Sequence, residues 1–93
     1  MKNKKKYSIQ EKSIYHERRA RNPLVSENKR IYSRNWEEGF TDHYFITNLS
    51  ACDSEIKKRR KAKVKINSYD IGLYGYRNGL KARLSVEKKK LKK

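Results

Sequence analysis

The sequence predicts an α+β domain in which one or two amino-terminal helices pack on a small carboxy-terminal antiparallel meander or hairpin. Two segments between residues 9 and 40 combine helix-capping residues with apolar side chains at helical spacing. Further along, Asn78-Gly79 separates two runs that alternate apolar and polar residues. The 93 residues suffice for one domain, expected at 8–87 between a basic arm at 1–7 and a basic tail at 88–93.

The first helix is predicted from its start and stop signals. Ser8 and Glu11 have the spacing of a capping box, in which each side chain satisfies a backbone amide at a helix start. Pro23 disfavours helical geometry at the residue before it. The expected helix therefore covers about 9–21.

The second helix is expected at about 27–40, with Ser26 as its cap. Gly39, near its end, is either a stop signal or a point where another element approaches closely. Apolar side chains recur at helical spacing in this segment: Ile31, Tyr32, Trp36 and Phe40.

The hairpin is predicted from the turn residues and from the register that they impose. Asn and Gly tolerate the positive φ angles of a type I′ turn. If Asn78-Gly79 is the turn, one sheet face is apolar, with Ile71 opposite Val86 and Leu73 opposite Leu84. The other face is aromatic and cationic, with Tyr74 opposite Arg83 and Tyr76 opposite Lys81.

Three further interpretations accompany the hairpin. A third strand is expected at 62–66, where apolar residues alternate with lysines, and 44–49 is either a strand or a helix. A rival interpretation makes 69–91 one helix with a stripe of Leu73, Tyr76, Leu80, Leu84 and Leu91. The glycines at 72, 75 and 79 argue against this helix, because each lowers helix stability by up to about 1 kcal/mol relative to alanine.

One short internal resemblance accompanies these elements. Trp36-Glu37-Glu38-Gly39-Phe40 is similar to Tyr76-Arg77-Asn78-Gly79-Leu80. Five residues are too few to establish a duplication.

Charge is the strongest functional signal. The chain has 26 Lys and Arg against 10 Asp and Glu, a formal charge of +16 and a pI near 10.1. Residues 35–56 contain no Lys or Arg, whereas 57–93 hold 15 basic residues and two acids. Such a surplus is most easily explained by a polyanionic partner, and nucleic acid is the commonest one.

Candidate nucleic-acid contacts fall into three groups. The basic run at 57–65 would neutralise phosphates, the aromatic and cationic sheet face would stack on bases, and arginines near the end of the first helix would add charge. The candidates are Lys57, Lys58, Arg59, Arg60, Lys61, Lys63, Lys65, Tyr74, Tyr76, Lys81, Arg83, Arg18 and Arg19.

Catalysis is not predicted, and neither a metal nor another cofactor is expected. The best candidate for a catalytic metal site consists of Glu37, Glu38, Asp42 and His43. Acidic residues in such a pattern more often lie on the surface of a helix without binding a metal. His43 and Cys52 lack the partners of a zinc site. No glycine loop for phosphates, serine nucleophile motif or dinucleotide fingerprint appears.

Cys52 is the single cysteine, so it is expected to be a packed thiol in a reducing compartment. No apolar run reaches the roughly 20 residues of a membrane span. A soluble, cytoplasmic protein without a membrane partner is therefore expected. The abundance of Lys, Asn, Ile and Tyr is typical of AT-rich genomes, such as that of a phage or a low-GC bacterium.

The expected function is binding of DNA or RNA through the phosphate backbone with low sequence specificity. One alternative is a protein-binding inhibitor or adaptor, such as a phage product acting on a host nucleic-acid enzyme, with 35–56 as its contact surface. Another is a ribosomal or other ribonucleoprotein component. The sequence leaves the oligomeric state open.

Overall fold

The computed structural model describes residues 9–63 and 65–91, and every regular element in that part of the chain is a helix. The helices are α1 (Ile9–Arg21), α2 (Glu27–Phe40), α3 (Phe45–Lys61) and α4 (Ser68–Leu91). The predicted α+β fold is therefore wrong, since no strand occurs among the described residues. The two predicted amino-terminal helices are confirmed at the expected bounds.

The turn between α1 and α2 follows the predicted stop signal. Asn22 precedes Pro23 and its side-chain oxygen accepts a hydrogen bond of 2.9 Å from the Leu24 amide, which tightens the turn. Ser26 occupies the position before α2, but its side chain makes no capping hydrogen bond. Ser8, the predicted cap of α1, lies outside the described residues.

The predicted hairpin is replaced by the middle of α4, as the rival helix over 69–91 proposed. A methyl group added to Gly75 would overlap the Tyr32 carbonyl oxygen, and one added to Gly79 would overlap that of Trp36. These glycines therefore let the backbones of α2 and α4 approach closely. The packing gained there outweighs the low helix propensity that had favoured a turn.

The remaining predicted strands are also absent from the described residues. The segment at 62–66 belongs to the link between α3 and α4, where Lys63 has a positive φ of 56° that ends α3. For 44–49 the helical alternative is confirmed, because α3 begins at Phe45. The basic arm at 1–7 lies outside the described residues, and α4 continues through 88–91, where the tail was expected.

The helices form a row in which α1 packs on α2, α2 on α4, and α4 on α3. α2 and α4 run parallel to each other. Tyr32, early in α2, lies beside Gly75 of α4, and the carbonyl of Phe40, at the end of α2, accepts a hydrogen bond from Arg83 further along α4. α3, which lies between α2 and α4 in the sequence, runs in the opposite direction and packs antiparallel to α4. This arrangement leaves α1 and α3 on opposite sides of the central pair.

Two small clusters hold the row together. Cys52, Ile56 and Leu80 are buried between α3 and α4, with Phe45, Leu49, Leu73, Tyr74 and Tyr76 packed around them. On the other side, the Trp36 ring stacks on His16 and Phe40 with centroid distances of 4.5 and 5.2 Å. The clusters are small because only 34% of the residues are apolar.

Candidate nucleic-acid interface

Five lysines at the end of α3 and just beyond it form what we call the lysine strip. All five are exposed, and within the described residues none of them forms an ion pair. No acid lies between Glu55 and Asp70 in the sequence. The strip consists of Lys57, Lys58, Lys61, Lys63 and Lys65.

The two arginines of the same run are used inside the structure. Arg59 forms a two-point ion pair with Asp70, through Nε to Oδ1 and through a terminal nitrogen to Oδ2 at 3.1 Å. Arg60 donates a hydrogen bond of 3.0 Å to the Tyr74 hydroxyl. Arg59 and Arg60 therefore join α3 to α4. The charge of Arg59 is paired with Asp70, whereas the lysines and Arg60 carry the exposed charge.

The start of α4 is a capping arrangement that the sequence analysis missed. The Asp70 amide donates to the Asn67 side-chain oxygen at 3.2 Å, and the Asn67 amide donates to Asp70 Oδ2 at 3.0 Å. Its signal is present in the sequence, because Asn67 and Asp70 have capping-box spacing. The hydrogen bond from Arg59 is the main reason that the pKa of Asp70 lies below its ordinary value.

The predicted aromatic and cationic face does not form. Tyr74 and Tyr76 lie two residues apart on a helix, so their side chains diverge by about 200° instead of sharing a sheet face. Arg83 is half-buried, where it pairs with Glu87 at 3.0 Å and donates to the Phe40 carbonyl at 3.1 Å. Of this group, Lys81 is the exposed cation.

Tyr76 anchors the turn between α2 and α3. Its hydroxyl donates a hydrogen bond to Asp42, whose other oxygen accepts one of 2.8 Å from the Tyr44 amide. The Asn48 side-chain nitrogen Nδ2 donates to Asp42 Oδ2 at 2.8 Å. Burial, followed by the bond to Asp42, raises the pKa of Tyr76 to about 12, and the Tyr76 hydroxyl in turn lowers the pKa of Asp42.

A second surface lies on the opposite side of the central pair, and we call it the α1–α2–α4 cleft. It has a volume of about 1490 Å³, with α2 contributing Tyr32 and Trp36 and α4 contributing Lys81 and Ser85. α1 and the turn that follows it supply the remaining side. Arg18, Arg19 and Lys81 are thus sequence-predicted candidates that the fold brings to one cleft.

The cleft carries more positive than negative charge. Glu11 is the acid among its described lining residues. Two of its cations, Arg19 and Arg77, are half-buried and hydrogen-bonded to other side chains. The other four are exposed and form no ion pair within the described residues. The exposed cations are Lys12, Arg18, Lys29 and Lys81.

A polar network fixes α1 against α2 beside this cleft. Arg19 Nε donates to Ser33 Oγ at 2.7 Å, and Ser33 Oγ also shares a hydrogen bond of 2.9 Å with His16 Nδ1. Ser33 is fully buried and His16 nearly so. Burial is the main cause that lowers the pKa of His16 to about 4, and the charges of Arg19 and Lys12 act in the same direction.

The acidic cluster singled out from the sequence does not gather into a ligand set. Among residues 9–63 and 65–91, no three His, Cys, Asp or Glu side chains are close enough together to hold a metal ion. Asp42 is instead bonded to Tyr76 and Asn48. Cys52 is buried, as expected of a packed thiol, and burial raises its pKa.

In the described part of the chain, no helix combines the length and apolar content needed to cross a bilayer. Comparison with protein-family models, with curated proteins and with solved structures finds no match to this chain. A proposal about function therefore depends on the two basic surfaces.

Proposed function

We propose that this chain binds nucleic acid by neutralising backbone phosphates, with low sequence specificity, and that the lysine strip is its principal contact. The observation that carries the proposal is the strip itself. Five exposed lysines lie within nine residues, with no acid in that segment and no ion pair among the described residues. Each exposed lysine is available to replace a counterion on a phosphate.

Among the described residues, no acid forms an ion pair with a lysine of the strip. Asp53, Asp70 and Glu87 are engaged in ion pairs with arginines of α3 or α4. These pairs hold helices together or stabilise one helix, and they leave the lysines uncompensated. A polyanion that brings one phosphate to each lysine relieves the mutual repulsion.

A purely structural role explains only part of the strip. Positive charge in the last turn of a helix is stabilised by the helix dipole, which accounts for Lys58 and Lys61 in α3. Lys63 and Lys65 lie beyond the end of that helix, where this stabilisation falls off. They favour a binding role over a capping role.

The test is nucleic-acid affinity as a function of salt. We expect the chain to bind single- and double-stranded DNA and RNA, and the logarithm of affinity to fall with the logarithm of salt at a slope near −5 if about six phosphates are contacted. A variant with Lys57→Gln, Lys58→Gln and Lys61→Gln should bind all four polymers more weakly, with a slope about 2 to 3 units shallower.

The matched control carries Arg34→Gln, Lys88→Gln and Lys89→Gln, which removes the same formal charge at three exposed cations that form no ion pair among the described residues. It should weaken binding less than the strip variant does. An affinity that does not change between 50 and 200 mM salt would overturn the proposal. Equal effects of the two variants would show that net charge, not the strip, governs binding.

A protein partner is the second candidate function. Tyr44 and Ile46, in the stretch at 35–56 that lacks basic residues, are 73% and 65% exposed and present apolar surface near the start of α3. An association with a host protein that persists after nuclease treatment, and that Tyr44→Ala weakens, would favour this candidate.

A further inference from the structure

We infer that the α1–α2–α4 cleft binds the unpaired bases of a single-stranded nucleic acid. The inference rests on the proposed function, since it adds a base-contacting surface to a chain whose lysine strip meets phosphates. The cleft is thereby assigned to single strands in particular, whereas the lysine strip contacts phosphates and does not distinguish single strands from duplexes.

The size of the cleft suits an extended ligand. At about 1490 Å³ it exceeds the roughly 300–1,000 Å³ of a pocket that encloses one small molecule. It spans residues of three helices, from Lys12 in α1 through Lys29 in α2 to Lys81 in α4. A chain of several nucleotides matches this extent better than a free nucleotide does.

The charge of the cleft complements a phosphodiester backbone. Lys12, Arg18, Lys29 and Lys81 are exposed along it, so each can reach a phosphate without first leaving an ion pair within the described residues. Two cations come from α1, one from α2 and one from α4. Phosphates of one strand can thus be met from three helices at once.

The apolar part of the cleft complements base faces. Tyr15 is 54% exposed, while Arg19 donates a 2.9 Å hydrogen bond to its hydroxyl and lies over its ring at 5.1 Å. The ring is therefore held in place yet open to a ligand. Leu24, 93% exposed, and Ile14, 50% exposed, also line the cleft.

This combination selects for single strands. Aromatic rings beside cations bind bases by stacking while the cations follow the backbone. In a duplex the base faces are stacked on one another and cannot reach Tyr15, whereas a single strand presents them. Phosphate contacts alone would leave the exposed apolar side chains of the cleft without a role.

The experiment compares a 12-nucleotide oligothymidine with a 12-base-pair duplex at one salt concentration, using fluorescence anisotropy. Tyr15→Ala should weaken oligothymidine binding about fivefold or more, as loss of one stacked base does, and should leave duplex binding within about twofold. Tyr15→Phe keeps the ring and should retain oligothymidine affinity. Tyr44→Ala, an exposed tyrosine outside the cleft, is the matched control.

The outcomes separate this inference from the proposed function. If Tyr15→Ala binds both probes as the unaltered chain does, while the strip variant binds both weakly, the cleft inference fails and the proposed function stands. If the unaltered chain binds neither probe, both fail. If Tyr15→Ala weakens both probes equally and its circular dichroism melt is unchanged, the cleft contacts duplexes too, and its assignment to single strands is overturned.

Discussion

Gly39 of α2 and Gly79 of α4 pack against each other's helix in a reciprocal manner. A methyl group on Gly39 would overlap the Tyr76 carbonyl oxygen, and one on Gly79 would overlap the Trp36 carbonyl oxygen. Each glycine thus faces the carbonyl that lies three residues before the other. The two backbones touch without intervening side chains at the centre of the molecule.

This contact predicts a large effect of a single methyl group. Gly79→Ala should lower the free energy of unfolding by about 3 kcal/mol or more, because the group in its way is the α2 backbone, which cannot rotate aside. Urea denaturation followed by circular dichroism measures the change.

Gly72→Ala is the matched control in the same helix. Its methyl group would meet the Asn35 side-chain nitrogen at 3.0 Å, and this side chain can shift more easily than a backbone, although it donates a 2.8 Å hydrogen bond to the Ile31 carbonyl. We expect a change within about 1 kcal/mol of zero, because the gain in helix propensity offsets the disturbed hydrogen bond. Similar losses in both variants would contradict the assigned contact.

The same glycines explain which part of the fold the sequence did not reveal. The limits of α1 and α2 were predictable from local sequence, because Pro23 disfavours continuation of α1 and Ser26 lies directly before α2, although its side chain makes no capping hydrogen bond. Gly75 and Gly79 were interpreted by local propensity, which disfavours a helix, although they serve a contact with a helix more than 30 residues away in sequence. The resemblance between 36–40 and 76–80 was the available signal, since these segments pack on each other.

The candidate interface was predictable to a similar extent. The lysine strip could be identified from charge alone, because no acid interrupts it. The α1–α2–α4 cleft was not foreseen, since it joins Tyr15 and Lys81, which only the tertiary fold brings to one surface. Tyr74 and Tyr76 were assigned to a shared face because a period of two was read where the period is 3.6.

The ion pair between Arg59 and Asp70 predicts an acid-sensitive junction between α3 and α4. The pKa of Asp70 is lowered, so its stabilisation is complete above about pH 4 and is lost as the pH falls through the lowered value. Asp70→Asn should melt at a lower temperature at pH 7 and lose less stability on acidification to pH 2 than the unaltered chain.

Asp53→Asn provides the comparison, because Asp53 pairs with Arg77 at 2.6 Å but is 49% exposed at its side chain. Exposed pairs contribute little, so its melting temperature should change less. A larger effect of Asp53→Asn than of Asp70→Asn would contradict this ranking.

The hydrogen bond from Tyr76 to Asp42 should contribute measurably to stability. Tyr76→Phe should lower the free energy of unfolding by about 1 kcal/mol, because the partly buried carboxylate loses a donor. The pKa of Asp42, followed by NMR, should rise toward its ordinary value. Tyr74→Phe removes only a bond from the exposed Arg60 and should have little effect.

The buried His16 predicts a loss of stability on mild acidification. Its pKa is lowered to about 4, so its contribution is fully present above about pH 6.5, the value for an unfolded chain, and declines as the pH falls toward 4. Thermal melts between pH 7 and 5 should show the decline in the unaltered chain. The loss of stability between pH 7 and 5 should be smaller in His16→Gln. It should be the same as in the unaltered chain in His43→Gln, because His43 is exposed.

The 24 residues of α4 make it about 36 Å long, and the helix therefore sets the spacing between the two basic surfaces. Ser68 follows the lysine strip closely in the sequence, and Lys81 lies about 20 Å further along the axis. A stacked strand rises about 3.4 Å per nucleotide along its axis, so that distance corresponds to roughly six nucleotides. Because the cleft lies on the opposite side of the central pair from the strip, six nucleotides is a lower bound. If both surfaces bind nucleic acid as proposed, shorter oligonucleotides should engage one surface at a time, whereas strands long enough to pass around the pair should bind bivalently, with the second contact made at high effective concentration.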